Sequence, residues 1–229
     1  MRAFLLFAVL IGGSLACQNR LETLVQEASG GAPDLSTDVR DECNARVGTF
    51  NSVHAPQYKK VINKALKLAL QYMSISSHFG RDTNHRLGFQ KLFKSASDER
   101  FEQAVSMIKY VVKRGGTMHQ ALNVKLPTTG LYNPLPLPSL GLALTDAKDM
   151  YEEQARLHRG ALCLTATAGG IAEAGCALDA DLAHQAQDAL ESEVERVSGL
   201  ASKANLLASM FTSGEHSLAE HLFDQQLLK

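Results

Sequence analysis

The chain has 229 residues, no tryptophan and a formal net charge of −1, with 23 Lys and Arg against 24 Asp and Glu. So even a balance offers no basic face for nucleic acid and no cationic surface for a membrane. The length suits a single domain with one core.

The first segment stands apart from the rest. Met1-Arg2 is a minimal positive start, Ala3 to Gly13 is almost wholly apolar, and Ser14-Leu15-Ala16 places small residues where signal peptidase reads them. Residues 1–16 are therefore expected to be a signal peptide, with an anchored amphipathic helix as the alternative, and the mature chain to begin at Cys17. The apolar run is about half of the ~20 residues a membrane span needs. Cys17, Cys43, Cys163 and Cys176 all lie beyond the cleavage point. An even number in a secreted chain favours disulfides over a metal site. Cys163 and Cys176 bracket a glycine-containing stretch short enough for one bridge to close, so a bridge between them is predicted. Cys17 and Cys43 pair either with each other or with a neighbouring subunit. No N-x-Ser/Thr sequon occurs.

Residues 17–54 read as a polar extension, with an extended arm to about Ser52 that carries Gly30-Gly31-Ala32-Pro33. The domain proper is expected over 55–229. Its first helix is predicted from Gln57 to Phe79, where Ile62, Leu66, Ala69 and Met73, joined by Ala65 and Tyr72, recur at helical spacing. After Gly80-Arg81-Asp82-Thr83-Asn84, a second runs from Arg86 to Arg114. It carries a stripe of Phe89, Phe93, Ala96, Ala104, Ile108 and Val111, and Gly115-Gly116 ends it.

Between Gly115 and Ser139, Leu126-Pro127-Thr128-Thr129-Gly130 and Pro134-Leu135-Pro136-Leu137-Pro138 argue against a regular element. The third helix is predicted from Leu140 to Ala161, through Ala143/Leu144, Ala147, Met150/Tyr151 and Ala155. The fourth runs from Ala180 to Met210, through Leu182, Ala186, Leu190, Val194, Val197, Leu200/Ala201 and Ala204. A short helix from Ser217 to Leu228, with Leu218, Leu222 and Phe223 on one side, closes the chain and is too short to stand alone in water. The second helix is on the order of 40 Å long, and the connector after it spans that distance when extended. Two hairpins joined by one long crossover give an all-α, ferritin-like four-helix bundle with a short fifth C-terminal helix. A cytokine-like bundle has two long crossovers.

At Ser77-His78-Phe79-Gly80-Arg81-Asp82, Gly88-Phe89-Gln90-Lys91-Leu92-Phe93, Ser97-Asp98-Glu99-Arg100, Lys113-Arg114-Gly115-Gly116 and Ser217-Leu218-Ala219-Glu220-His221-Leu222-Phe223-Asp224, the chain resembles ferritin. The secreted ferritin subunits of arthropods resemble it most, from about Ala55 to the C-terminus. The resemblance implies a cage of twenty-four subunits around a ferric oxyhydroxide core, with iron as cargo and no organic cofactor. It also implies a diiron-type domain whose active members carry a ferroxidase centre.

Such a centre needs carboxylates and a histidine from all four helices to hold two ferrous ions. Against that pattern, Ala65 stands for the first helix's glutamate, Arg100 and Gln103 for the second helix's Glu and His, and Ala147 for the third helix's bridging Glu. Tyr72 matches the centre's tyrosine and Glu193 falls near the fourth helix's position. Because Arg100 sits on the inward stripe, an ion pair with Glu193 is expected, with extension into water as the alternative. The pattern resembles light-type chains, which lean on a heavy-type partner subunit for oxidation.

Asp98, Glu99 and Glu102 match an acidic mineral-nucleating patch, diluted by Lys91 and Lys94; solvated charge explains them equally well. His158, Asp179 and Asp181 fall near the three-fold channel, whose carboxylate positions read His184 and Gln187. His221 falls near the four-fold axis. The expected function is an iron-storage and iron-transport subunit of a secreted cage that is not itself an enzyme. The alternatives are a weak ferroxidase using Tyr72, Glu193 and Glu99, and a secreted helical carrier or signalling bundle.

Overall fold

The structure, a computed structural model, describes residues 44–118, 122–124, 135–163, 178–211 and 215–229. The signal-peptide segment, Cys17, Cys43 and Cys176 lie outside them. The chain divides into two compact units, Met1–Arg46 and Val47–Lys229. Of the first, only residues 44–46 are described, and all three are exposed.

The second unit begins earlier than the sequence suggested. A single π-helical turn, Phe50–His54, leads without a break into α1, Ala55–Phe79, and Phe50 is fully buried. The chain around Ser52 is therefore wound into the bundle, because Phe50 packs edge-on against Tyr58 and Tyr110 at centroid distances of 5.4 and 5.3 Å. The remaining helices are α2 (Leu87–Lys113), α3 (Pro136–Ala161), α4 (Ala180–Phe211) and α5 (His216–Leu228). α3 starts four residues before the predicted Leu140, inside the proline run. Prolines are tolerated in a first helical turn, where their missing N–H has no partner to lose. At the end of α2, Gly115 adopts φ 71°, its N–H bonds Val112 O at 2.9 Å, and Gly116 N–H bonds Val111 O at 2.8 Å. This double bond pattern around a left-handed glycine is the Schellman stop the sequence predicted.

Contacts between helices give the topology. Ser97 Oγ donates to Ala69 O and Ser76 Oγ to Gln90 O, so α1 and α2 run antiparallel. Gln57 meets Glu153, while Asp146 feels Lys64 and Lys67, so α3 is antiparallel to α1. Arg100 pairs with Glu193 and Arg114 with Asp179, so α4 is antiparallel to α2. It follows that α2 and α3 are parallel, and the segment between them must travel the bundle's length. Within it, Asn123 N–H reaches Asn63 of α1 at 3.1 Å.

α5 docks on the start of α2. Asp224 is buried and accepts from Phe89 N–H at 2.9 Å, capping α2 from far along the chain. Phe223 lies against Phe89 at 5.5 Å, and Arg86 pairs with Glu220 at 3.3 Å. Gly88 permits the contact, since a Cβ there would sit 2.0 Å from Asp224 O. Of the three residues expected on the packing side, Phe223 is buried as expected, joined by Ala219, whereas Leu218 and Leu222 are 50% and 52% exposed. Met73, Tyr151 and Val194, assigned to inward stripes, are likewise exposed, whereas Val61, Leu68 and Ile75 fill the core. No helix among the described residues is long and apolar enough to cross a membrane.

Candidate metal centre

Halfway along the bundle the aromatic core gives way to charge. Ala65 on α1 and Ala147 on α3 are fully buried and contribute no donor atoms. Arg100 and Glu193 are buried as completely, both with 0% side-chain exposure. Arg100 Nη2 donates to Glu193 Oε2 at 2.9 Å and Nη1 donates to Oε1. Gln103 accepts from Arg100 at 2.9 Å and donates to Glu193 at 3.2 Å. Arg196, one turn beyond Glu193 on α4, adds a fourth donor at 2.8 Å. Withdrawing two ions from water costs several kcal/mol each, and only such forked, multiply bonded geometry offsets it. Arg100 thus pairs across the interior as expected, and its alternative route to water is not taken.

The arrangement is poorly suited to ferrous ions. Glu193 has its oxygens engaged by cations and an amide, and a guanidinium at the centre repels metal charge. Tyr72 packs against Phe93 at 6.1 Å with its hydroxyl buried and unpartnered. Burial, with Asp146 nearby, pushes its phenol well up, so it is a neutral group. Asp146 escaped sequence reasoning. Burial, reinforced by Asp149, pushes its carboxyl up to about 6 against the opposing pull of Lys64, Lys67 and Arg100, and its Oδ2 lacks a partner.

The acidic patch is partly self-neutralised. Asp98 pairs with Lys94, and Glu99 accepts from Ser95 at 3.1 Å and from Arg196 at 3.3 Å, while Glu102 is exposed. Two expected channel carboxylates are also committed. Asp179 is buried, pairs with Arg114 at 2.6 Å and caps α4 by accepting from Leu182 N–H at 3.0 Å. Asp181 has a 69% exposed side chain but pairs with the same Arg114 at 2.9 Å and accepts from Tyr110 at 2.7 Å. The Tyr110 hydrogen bond, and then Arg114, hold its carboxyl below the usual range. His158 is half-buried at the end of α3; His184, Gln187 and His221 are exposed. Among the described residues, no three His, Cys, Asp or Glu side chains converge to hold a metal ion. Arg196 and Arg114 were missed as partners, although Arg196 stands only three residues after Glu193, on the same helical face.

Comparison with known proteins agrees with this architecture. Residues 57–210 match the ferritin-like domain model. The ferritin light chain of Drosophila melanogaster is 31% identical over 99% of this chain and 97% of its own length. A ferritin heavy chain of Trichoplusia ni is 26% identical over 74% of this chain and 77% of its own. The crystal structure of Trichoplusia ni secreted ferritin superimposes with a TM-score of 0.72 at 25% identity, covering 93% of this chain and 97% of that one. With one crossover, a docked fifth helix and these relatives over nearly its whole length, the chain belongs to the ferritin family.

Proposed function

We propose that this chain is the light-type subunit of a secreted ferritin cage, storing iron as a ferric mineral while a heavy-type subunit oxidises it. The observation that carries this is the buried Arg100–Glu193 pair, closed by Gln103 and Arg196, in the middle of the bundle. It stands where active chains of the family hold ferrous ions, and it leaves Ala65 and Ala147 with nothing to bind them. Tyr72, buried and neutral, brings no charge to offset that of a metal ion. Secretion is supported by the pattern of residues 1–16 and by the secreted insect neighbour. Cys163 is disulfide-bonded, and Cys176 is the proposed partner.

The test compares cages of this chain alone with cages containing a heavy-type chain, by stopped-flow oxidation of ferrous iron at neutral pH. The homopolymer is expected to oxidise at the buffer rate and the mixed cage rapidly. Both are expected to retain mineral and to run at the mass of a twenty-four-subunit shell. Rapid, saturable oxidation by the homopolymer would overturn the light-type reading.

A further inference from the structure

One polar side chain interrupts the core stripe of α3. Helical register buries Ala143, Ala147, Met150, Gln154, Leu157 and Ala161 along the same side of that helix, and all but Gln154 are apolar. Gln154 is 1% exposed, and both its amide nitrogen and its amide oxygen lack partners. A buried carboxamide left unpaired costs stability that an apolar residue at the same step of the stripe would not.

Beside Gln154 a cleft of about 550 Å³ opens between α2 and α4. α2 contributes Gln103 and Met107, and α4 contributes Gln185 and Ala186. Tyr58 of α1, with Gln154 and Leu157 of α3, closes the cleft from behind, each of the three being no more than 3% exposed. Three carboxamides therefore line one space, and two of them are engaged. Gln185 accepts from the Tyr58 hydroxyl at 2.9 Å, and Gln103 accepts from Arg100 and donates to Glu193. Of the three, only Gln154 has neither end bonded.

The chemistry of the lining selects what meets it. At the mouth, Glu99 and the exposed Glu102 and Asp188 outnumber Arg196, so an anion is repelled. An ammonium-type cation brings no acceptor for the Gln154 nitrogen. A neutral amide satisfies both ends at once, because its N–H and its carbonyl oxygen lie side by side in one plane, as those of Gln154 do. Met107, Leu157 and Ala186 share the lining and favour an apolar body attached to that amide.

We propose that this cleft is a binding site for a small neutral amide with a flat apolar body, held edge to edge by the Gln154 carboxamide. The site requires neither iron nor the storage function proposed above.

Benzamide is the probe, titrated against the full-length chain in its native assembly and followed by saturation-transfer NMR on the ligand. Wild type is expected to bind it saturably. N,N-dimethylbenzamide has no amide N–H and should bind about tenfold more weakly, the scale of a lost hydrogen bond that leaves a buried partner unpaired. Benzoate, an anion without that N–H, should bind more weakly still. Gln154→Met keeps the length of the side chain and removes its amide. It should weaken benzamide about tenfold and bring it level with N,N-dimethylbenzamide. Glu102→Gln with Asp188→Asn should change benzamide affinity by no more than about twofold, because the ligand carries no charge.

Equal affinity of wild type for the two benzamides overturns the proposal, as does undiminished binding in Gln154→Met. An absence of saturable binding to wild type also overturns it and leaves water as the partner of Gln154. Gln154→Met removes no protein hydrogen bond, so it is expected to melt at or above the wild-type temperature. Should it not fold, the comparison of the two benzamides on wild type decides the matter by itself.

Discussion

Two buried guanidiniums of α2, one at the bundle's middle and one at its end, show how the same ion pair serves different ends. Arg100 faces Glu193 with no solvent contact, in the interior of the bundle. Arg114 faces Asp179 and Asp181, lies 5.1 Å above the Phe50 ring, and donates to Val47 O at 3.2 Å. The first pair holds little except itself, Gln103 and Arg196. The second ties the entry segment, the end of α2 and the start of α4 into one corner, and Asp179 also caps α4. Removing one partner at the middle therefore strands a charge, whereas removing one at the end dismantles a junction that retains other contacts.

The largest expected effect follows at the middle. Glu193→Ala leaves Arg100 buried without a carboxylate and should cost roughly 3 kcal/mol or more in urea unfolding. Replacing both, as Arg100→Met with Glu193→Leu, should come close to wild-type stability, because an apolar pair avoids desolvating two ions. A double variant as unstable as Glu193→Ala would show that the middle pair does organise its surroundings.

Next is Asp179→Ala. It removes a cap and an ion pair while leaving Arg114 its bonds to Asp181, Tyr110 and Val47, so about 2 kcal/mol is expected by the same measurement. A smaller effect than a surface pair gives would refute the junction.

Asp146, beside the middle pair, makes a smaller and pH-dependent contribution. Its folded pKa of about 6 lies above its ordinary 3.8, so the native state holds its proton more tightly than the unfolded chain does. The stability this supplies is complete below pH 3.8 and is lost as pH rises through about 6. Asp146→Asn should therefore gain about 1 kcal/mol at pH 7.5, a figure discounted for the carboxyl's remaining solvent contact, and should flatten the stability profile between those values. A variant less stable than wild type at pH 7.5 would contradict this. The smallest change is expected from Asp181→Asn, whose exposed side chain should move stability by no more than about 0.5 kcal/mol. A larger loss would promote it from rim to member of the junction.

Much of the middle was legible in advance because it rests on local rules. Helical spacing put Arg100 between Ala96 and Ala104 on an inward stripe, and a buried guanidinium demands a carboxylate; that Glu193 is the carboxylate was implied by the resemblance to ferritin, not by spacing. The end was not legible, because Arg114 and Asp179 are far apart in the chain and nothing local marks Asp179 as a cap committed to Arg114 rather than a channel acid. The stripes erred where a helix has two apolar faces. Met73, Tyr151, Val194, Leu218 and Leu222 fit the spacing, yet they point outward in this structure. Periodicity counts apolar residues without knowing which face a neighbour covers.

The sequence by itself determined five helices, their glycine and proline boundaries and the long crossover, since each depends on residue type and near-neighbour spacing. Only the tertiary structure decided which side of each helix is the core, that Asp224 caps α2 against Gly88, that Asp179 serves Arg114, and that Arg196 bridges Glu193 to Glu99. Apart from the step between Glu193 and Arg196 on one helix, those contacts join residues at least 65 positions apart, and their energy depends on a meeting in space that spacing along one helix cannot encode.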